Sequence, residues 1–144
     1  MTEQLHLTRA AEYETLGVFR DAIAQACAQQ RLDAQTTYDL QLAMDEACTN
    51  IVEHGYHGMN PGSLMFDMEI TPTQVVMKIT DFGHPFEPYE PELPSAQTVM
   101  ESNKVGGFGL IFIYKIMNAV DYQTTEEGNI LTLTKSLHPK VISA

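Results

Sequence analysis

The sequence predicts an α/β fold, a two-layer sandwich in which one mixed, mostly antiparallel sheet carries its helices on one face. Strand-like segments and segments whose apolar residues recur every three or four positions follow the order β-α-α-β-β-loop-α-β. Each kind of segment has an apolar face to bury, so strands and helices pack as layers. Because 144 residues is the usual size of one domain, we expect a single domain over residues 1–144.

The first half of the chain contains one strand and two amphipathic helices. Residues 4–8 alternate in polarity, as in a short strand, and residues 10–30 have helical periodicity. The apolar stripe of this first helix is Leu16, Phe19, Ile23 and Cys27. The second helix begins near Asp33 or Thr37, since either side chain can cap it, and runs to about His54. Its buried face is Leu40, Ala43, Ala47 and Ile51.

A hairpin and a long loop follow the second helix. Residues 63–71 and 74–81 are predicted strands, and Thr71-Pro72-Thr73 between them has turn chemistry. Residues 82–106 contain a proline at every third position from 85 to 94, which is typical of an extended loop.

The last part of the chain is predicted to be a helix and one strand. A glycine-rich turn opens the helix, which covers residues 106–122. Its apolar stripe is Leu110, Ile113, Met117 and Val120. The final strand starts at Gly128-Asn129.

The charge of the chain limits its partners. Eight Lys and Arg residues stand against 19 Asp and Glu, which gives a net charge of −11. An acidic surface repels nucleic-acid backbones and anionic membranes, so we expect neither as a partner. A phosphate site would have to be local, built from backbone N–H groups, a helix N-terminus or a metal ion.

Cellular location follows from the cysteines and from the apolar segments. Cys27 and Cys48 fall in helical patterns and are typical of buried thiols in a reducing compartment. Neither a signal peptide nor an apolar run of membrane-spanning length is present in the sequence. We therefore expect a cytoplasmic protein.

The first candidate motif lies on the second helix. Glu46, Asn50 and His54 are four residues apart, so they share one side of the helix at the edge of the core. The amide oxygen can ligate Mg²⁺, and the carboxylate can orient or deprotonate a nucleophile. Alternatively, these residues form an ordinary solvated helix face, and spacing alone favours that interpretation.

The second motif is Asp81-Phe82-Gly83, where the second strand of the hairpin ends. A carboxylate at a strand end can accept a hydrogen bond from the exocyclic amine of adenine, and Gly83 permits a close approach. Alternatively, the motif is a plain strand-to-loop turn.

The third motif is a glycine cluster, Gly106, Gly107 and Gly109, at the start of the last predicted helix. Backbone N–H groups at such a position can bind phosphate, and the helix dipole favours an anion. The alternative is a flexible hinge. The pattern matches neither a P-loop nor a dinucleotide-binding fingerprint.

Taken in order, the three motifs resemble the GHKL (Bergerat) nucleotide-binding fold shared by DNA gyrase, Hsp90, histidine kinases and MutL. The segments DEACTNIVEHGY, ITDFGHPFEP and GGFGLIFIYKIMNAVDY are more similar still to the small bacterial anti-sigma-factor serine kinases. The resemblance covers nearly the whole chain.

The resemblance implies a role for each motif residue in an ATP site. Glu46 would be the general base or a carboxylate that orients water, and Asn50 would ligate the Mg²⁺ that bridges the ATP phosphates. Asp81 would bind the adenine amine, with Gly83 giving the ring room. The remaining assignments are phosphate contacts at Gly107 and Gly109, a lid over residues 86–105, and Thr132 in the adenine pocket. No role is assigned to His54, and Lys104 is the one basic residue of the lid.

The resemblance also implies partners. Such kinases hold a sigma factor inactive and phosphorylate a serine on a STAS-type antagonist, and they usually act as homodimers. Two other hypotheses stay open at this stage: a switch protein with ATP as a structural ligand, and an interaction domain that binds no nucleotide. Glu46 favours the kinase, since a pure binder has no need of that carboxylate.

Overall fold

A computed structural model describes residues 2–85 and 113–137. The strands and helices of these ranges are β1 (Glu3–Ala10), α1 (Tyr13–Gln29), α2 (Ala34–Asn50), β2 (Ser63–Ile70), β3 (Gln74–Asp81), β4 (Ala119–Thr125) and β5 (Gly128–Ser136). A π-helical turn, Ile51–Gly55, continues α2 directly, and residues 113–116 form one helical turn. None of the helices in this part of the chain is long and apolar enough to cross a membrane.

The five described strands form one sheet in the order β1-β2-β3-β5-β4. All four pairings within the described ranges are antiparallel. β3 lies in the middle, between β2 and β5, so its last residue is flanked by both neighbouring strands. The register pairs Asp81 with Leu64 on one side and with Asn129 on the other.

The hydrophobic core lies between one face of the sheet and the two helices. Alternate residues of the central strands are buried: Leu64, Phe66, Met68 and Ile70 in β2, Val75, Met77 and Ile79 in β3, and Leu131 and Leu133 in β5. The stripes predicted for the first two helices are buried as well. Phe19 of α1 stacks on Phe66 of β2, with 5.1 Å between ring centroids. The predicted two-layer α/β sandwich is confirmed.

α2 begins where the sequence indicates and ends earlier. Asp33 is its N-cap, and the backbone N–H of Thr36 donates to Asp33 Oδ1 at 2.7 Å. The regular helix stops at Asn50, and the wider π-helical turn covers the residues up to Gly55. Such turns re-aim the end of a helix and are frequent at functional sites.

The last part of the chain differs from the prediction. Residues 113–116 are helical, but Val120 belongs to strand β4, which forms a hairpin with β5. Val120 stands three residues after Met117 and so mimics helical spacing, whereas Val120 and Tyr122 alternate with polar residues. Both pack against the core, and β4 pairs with the free edge of β5. As a strand, this segment pairs with β5 and packs Val120 and Tyr122 on the core. These gains outweigh the helical spacing of Met117 and Val120. The start predicted for β5, at Gly128-Asn129, is confirmed.

Candidate functional site

The candidate site lies at the end of the sheet where β3 finishes and β5 starts. Asp81 is the last residue of β3, and Asn129 is its partner in the register of β5. Both side chains face the helices, and each residue is only 3% exposed. Two buried polar residues therefore stand side by side where an otherwise apolar core reaches its edge.

A closed set of hydrogen bonds connects Asp81, Gly83 and Asn129. Asp81 Oδ1 accepts from the backbone N–H of Gly83 at 2.9 Å and from Asn129 Nδ2 at 3.0 Å. Asn129 Nδ2 also donates to the carbonyl oxygen of Gly83 at 2.9 Å. Both bonds to the carboxylate end on Oδ1. Among residues 2–85 and 113–137, Oδ2 has no donor, so it can accept a hydrogen bond from a ligand.

Burial and hydrogen bonding act in opposite directions on Asp81. Removal from water raises the pKa of its carboxyl group, and this is the larger effect. The donors on Asn129 and Gly83 lower the pKa, because they favour the charged form. A buried carboxylate held by N–H donors, without a cation partner among the described residues, is typical of a functional site.

Gly83 has a steric reason to be glycine. A Cβ at this position would collide with the backbone carbonyl group of Gly55, at the end of the π-helical turn. The backbone N–H of His84 donates to that same carbonyl oxygen. The close approach at Gly83 is therefore that of the Gly55 backbone, and the room that Gly83 would give to an adenine ring stays a prediction. This contact joins the end of β3 to the end of α2.

Tyr56 fixes the same region from the other side. Its hydroxyl donates to the carbonyl oxygen of Ser63 at 2.8 Å and accepts from the backbone N–H of Phe82 at 2.9 Å. Gly62 packs so closely on the ring that a Cβ there would lie 2.7 Å from Tyr56 Cε1. Tyr56 thus holds the residue next to Asp81 against the start of β2.

Glu46 and Asn50 lie on the last two turns of α2. Both are half-buried, between the buried residues Ala47 and Ile51 and the surface. Within the described ranges, neither side chain makes a hydrogen bond or an ion pair. Their carboxylate and amide oxygens are thus available, and these are ligand types that Mg²⁺ prefers. The described residues contain no His, Cys, Asp and Glu cluster that could hold a metal ion unaided.

Cys48 lies between these two residues on the opposite, core-facing side of α2. Its side chain is fully buried, and it is a free thiol. Burial raises the pKa of the Cys48 thiol far above its ordinary value, and the carboxylates of Asp45 and Asp81 raise it further. The thiol is therefore inert in the folded protein.

His54 shares the helical spacing of Glu46 and Asn50 but lies on the surface. It is exposed, and its Nε2 lies 3.7 Å from Glu53 Oε2. The change from α-helix to π-helical turn after Asn50 interrupts the stripe, so His54 is not brought to Asp81.

The prediction that Thr132 completes the pocket is wrong. Asn129, Leu131 and Leu133 of β5 face the core, so Thr132 faces the opposite side of the sheet. Asn129 occupies the position beside Asp81 instead. The signal was present in the sequence: the strand start at Gly128-Asn129 and the alternation with Leu131 and Leu133 together place Asn129 on the core face.

The glycines predicted to contact phosphate, Gly107 and Gly109, lie outside the described residues. So do Lys104 and the whole of the predicted lid, residues 86–105. The phosphate-binding part of the site therefore stays a prediction. The structure brings Asp81 and Gly83 together with Asn129, and the end of α2 packs on them through Gly55.

Comparison with known proteins gives a consistent result. The family described as "Histidine kinase-like ATPase domain" matches residues 9–135. Serine/threonine-protein kinase BtrW of Bordetella bronchiseptica is 30% identical over 112 residues, which are 78% of this chain and 79% of the relative. Serine-protein kinase RsbW of Oceanobacillus iheyensis is 29% identical over 119 residues, 76% of this chain and 72% of the relative. RsbW of Listeria innocua is 26% identical over 147 residues, 96% of this chain and 88% of the relative.

Proposed function

Because the chain belongs to the histidine kinase-like ATPase family, among the bacterial serine/threonine-protein kinases, we propose that residues 1–144 act as one ATP-dependent protein kinase domain. Its substrate is a serine or threonine on a STAS-type antagonist, and the kinase also holds a sigma factor inactive. The observation that carries the nucleotide part of this proposal is Asp81, which is buried and has one carboxylate oxygen without a donor among the described residues.

Asp81 recognises the adenine base. Its Oδ2 accepts a hydrogen bond from the exocyclic amine, while Oδ1 stays bound to Gly83 and Asn129. An ionised carboxylate has acceptors only, so it matches a base that presents an N–H group. The two internal donors support this role because they lower the pKa of the carboxyl group and so favour its charged form against the effect of burial.

Asn50 and Glu46 act on the phosphates and on the substrate. The Asn50 amide oxygen would hold a Mg²⁺ ion, which would supply positive charge to offset that of the ATP phosphates. Glu46 accepts the proton of the substrate hydroxyl while the hydroxyl oxygen forms a bond to the γ-phosphorus of ATP. The bond between the γ-phosphorus and the oxygen that links it to the β-phosphate breaks, and ADP leaves. Both side chains are free of other described partners, which supports these roles.

Gly107 and Gly109 would contact the phosphates through their backbone N–H groups, and the predicted lid, residues 86–105, precedes them in the sequence. Lys104 is the cation that this segment offers to the transferred phosphate. Such a site is compatible with a net charge of −11, because Mg²⁺ and backbone dipoles would neutralise the phosphates locally and no basic surface is needed.

The partners and the setting rest on family resemblance. We propose that the kinase is a cytoplasmic homodimer. The relatives' names specify serine or threonine kinases and support the amino acid that is phosphorylated. The antagonist and the sigma factor are proposed from the resemblance of the three motifs to anti-sigma-factor kinases.

Calorimetric titration with ATP, with and without Mg²⁺, tests the nucleotide site. We expect the wild type to bind ATP more tightly with Mg²⁺, and Asn50→Ala to lose that dependence while keeping its fold. Absence of binding at millimolar ATP would overturn the proposal.

Transfer of labelled γ-phosphate to candidate STAS proteins tests the reaction itself. Glu46→Gln should bind ATP normally and transfer phosphate at least about 100-fold more slowly, as expected for loss of a general base. If Glu46→Gln and the wild type transfer at equal rates, Glu46 is not the base. If the wild type binds ATP but transfers nothing, ATP is a structural ligand of a switch protein.

A further inference from the structure

We propose that Asn129 is a specificity-determining positioning residue, which makes the site take a 6-aminopurine and reject a 6-oxopurine. It does so by engaging one oxygen of Asp81 and leaving the other as a fixed acceptor. This inference rests on the proposed nucleotide site and adds to it the residue that sets base preference.

The amide group of Asn129 has one possible orientation. Its Nδ2 faces two acceptors, Asp81 Oδ1 at 3.0 Å and the Gly83 carbonyl oxygen at 2.9 Å. Rotating the amide by half a turn would place its oxygen against both acceptors, which is repulsive. Since the residue is 3% exposed, water cannot readily replace either bond.

The carboxylate of Asp81 is thereby held from two sides. The Gly83 N–H and the Asn129 Nδ2 both donate to Oδ1, and Asn129 also binds the far side of the Gly83 peptide. Gly83 itself is pressed against the backbone of Gly55, so it cannot move away. The two hydrogen bonds on Oδ1 therefore fix the plane of the carboxylate before any ligand arrives, and the bond from Asn129 to the Gly83 carbonyl oxygen supports them.

A fixed, ionised carboxylate discriminates between purines by hydrogen-bond type. A 6-amino group donates to Oδ2, whereas a 6-oxo group would place an acceptor against it. Without the Asn129 donor, burial favours the protonated acid, which can turn and donate to a 6-oxo group. Loss of Asn129 should therefore weaken the preference for the amine more than it weakens binding of the rest of the nucleotide.

The test measures three nucleotides on each variant by calorimetry with Mg²⁺: ATP, purine riboside 5′-triphosphate, which lacks the 6-amine, and inosine triphosphate, which carries a 6-oxo group. The variants are wild type, Asn129→Leu, which keeps the size and removes the donor, and Asn129→Ser, which shortens the side chain. Asn118→Leu is the matched control, since among the described residues the Asn118 side chain accepts only from the backbone N–H of Ser136, away from Asp81.

We expect the wild type to prefer ATP over purine riboside triphosphate by about tenfold or more, as for a hydrogen bond to a charged group. In Asn129→Leu this ratio should fall to within about threefold, and inosine triphosphate should gain relative to ATP. Asn129→Ser should lie between the two. Asn118→Leu should keep the wild-type ratio. Each ratio compares ligands on one preparation, so a partly folded variant still gives a valid result.

The outcomes distinguish failure of the proposed nucleotide site from failure of the role proposed for Asn129. If the wild type binds none of the three nucleotides, the proposed function fails. If the wild type prefers ATP and Asp81→Asn loses that preference, but Asn129→Leu keeps the wild-type ratio, the nucleotide site stands and the role of Asn129 is overturned.

Discussion

The two ends of strand β5 each hold a buried polar network, and the networks differ in one respect. Near the end of β5, Lys135 Nζ donates to the carbonyl oxygen of Ile116 at 2.7 Å and lies 3.4 Å from Asp39 Oδ2. The side chains of Lys135 and Asp39 are only 17% and 16% exposed. Near the start of β5, Asn129 donates to Asp81, which has no cation partner within the described ranges.

The comparison shows how a structural network can be told from a functional one. At the Lys135 end, a cation meets a carboxylate and a carbonyl at a helix end, so charge and hydrogen bonding are balanced internally. At the Asp81 end, a desolvated acid keeps an oxygen without a described donor. The first arrangement connects α2, β5 and the helical turn before β4, whereas the second leaves an acceptor for the ligand proposed above.

The strongest test of this contrast replaces one carboxylate at each end. Asp81→Asn should weaken ATP binding about 100-fold, because it puts an N–H donor or a neutral oxygen where a charged acceptor is needed. Asp39→Asn should leave ATP binding unchanged and lower the free energy of unfolding. Calorimetry and urea denaturation on both variants provide the comparison, and equal effects on ATP binding would remove the distinction.

A second test concerns the contact that supports the Asp81 end. Gly83→Ala should lower the free energy of unfolding by about 2–3 kcal/mol, since its Cβ would overlap the backbone of Gly55 and overpack the junction. Gly17→Ala is the matched control, because nothing lies within 4 Å of a Cβ there, in the middle of α1. It should stabilise the fold by about 1 kcal/mol. A Gly83→Ala protein as stable as the wild type would contradict the proposed close approach.

The Lys135 end is tested by Lys135→Met. Removing the cation leaves the Ile116 carbonyl without its donor and Asp39 with only its hydrogen bond from Gln35, so the free energy of unfolding should fall by about 1–2 kcal/mol. ATP affinity should not change. Lys78→Met is the control, as Lys78 is exposed on the sheet, and its effect should stay within about 0.5 kcal/mol. A large loss of ATP affinity in Lys135→Met would mean that the two ends are coupled.

The smallest effect is the pH dependence contributed by Asp81. Burial raises the pKa of its carboxyl group in the folded protein, so between the ordinary and the raised pKa the folded state binds more protons than the unfolded chain. The free energy of unfolding of the wild type, minus that of Asp81→Asn, should therefore increase as the pH falls through this window. Urea denaturation over a pH series measures the difference. A difference that is flat, or that falls on acidification, would contradict the raised pKa.

Most of the fold could be predicted because local pattern and tertiary packing agree. The stripes of α1 and α2, the cap at Asp33 and the central hairpin all follow from side-chain periodicity. β4 could not be predicted, since Val120 fits both a helical stripe and a strand, and the choice depends on the free edge of β5.

The site was predictable where one segment carries the chemistry and unpredictable where two segments meet. The spacing of Glu46 and Asn50 is visible in the sequence, and so is the glycine two residues after Asp81. The bond between Asp81 and Asn129 joins residues 48 positions apart, and it depends on the register of β3 with β5. No local pattern fixes a register of that kind, so neither segment alone predicts that Asn129 lies beside Asp81. The assignment of Thr132 followed from the family resemblance, and the alternation with Leu131 and Leu133 places Thr132 on the other face.

Because Cys48 is buried, the reactivity of its thiol reports on the conformation of the protein around it. A thiol reagent reacts with the thiolate, and here the thiol is both inaccessible and hard to ionise until the end of α2 opens. Cys48 stands between Glu46 and Asn50, so its labelling rate monitors the segment proposed to hold the phosphates. With Cys27→Ala as the background, slower labelling in ATP would reveal nucleotide-induced closure of this helix end without any added probe.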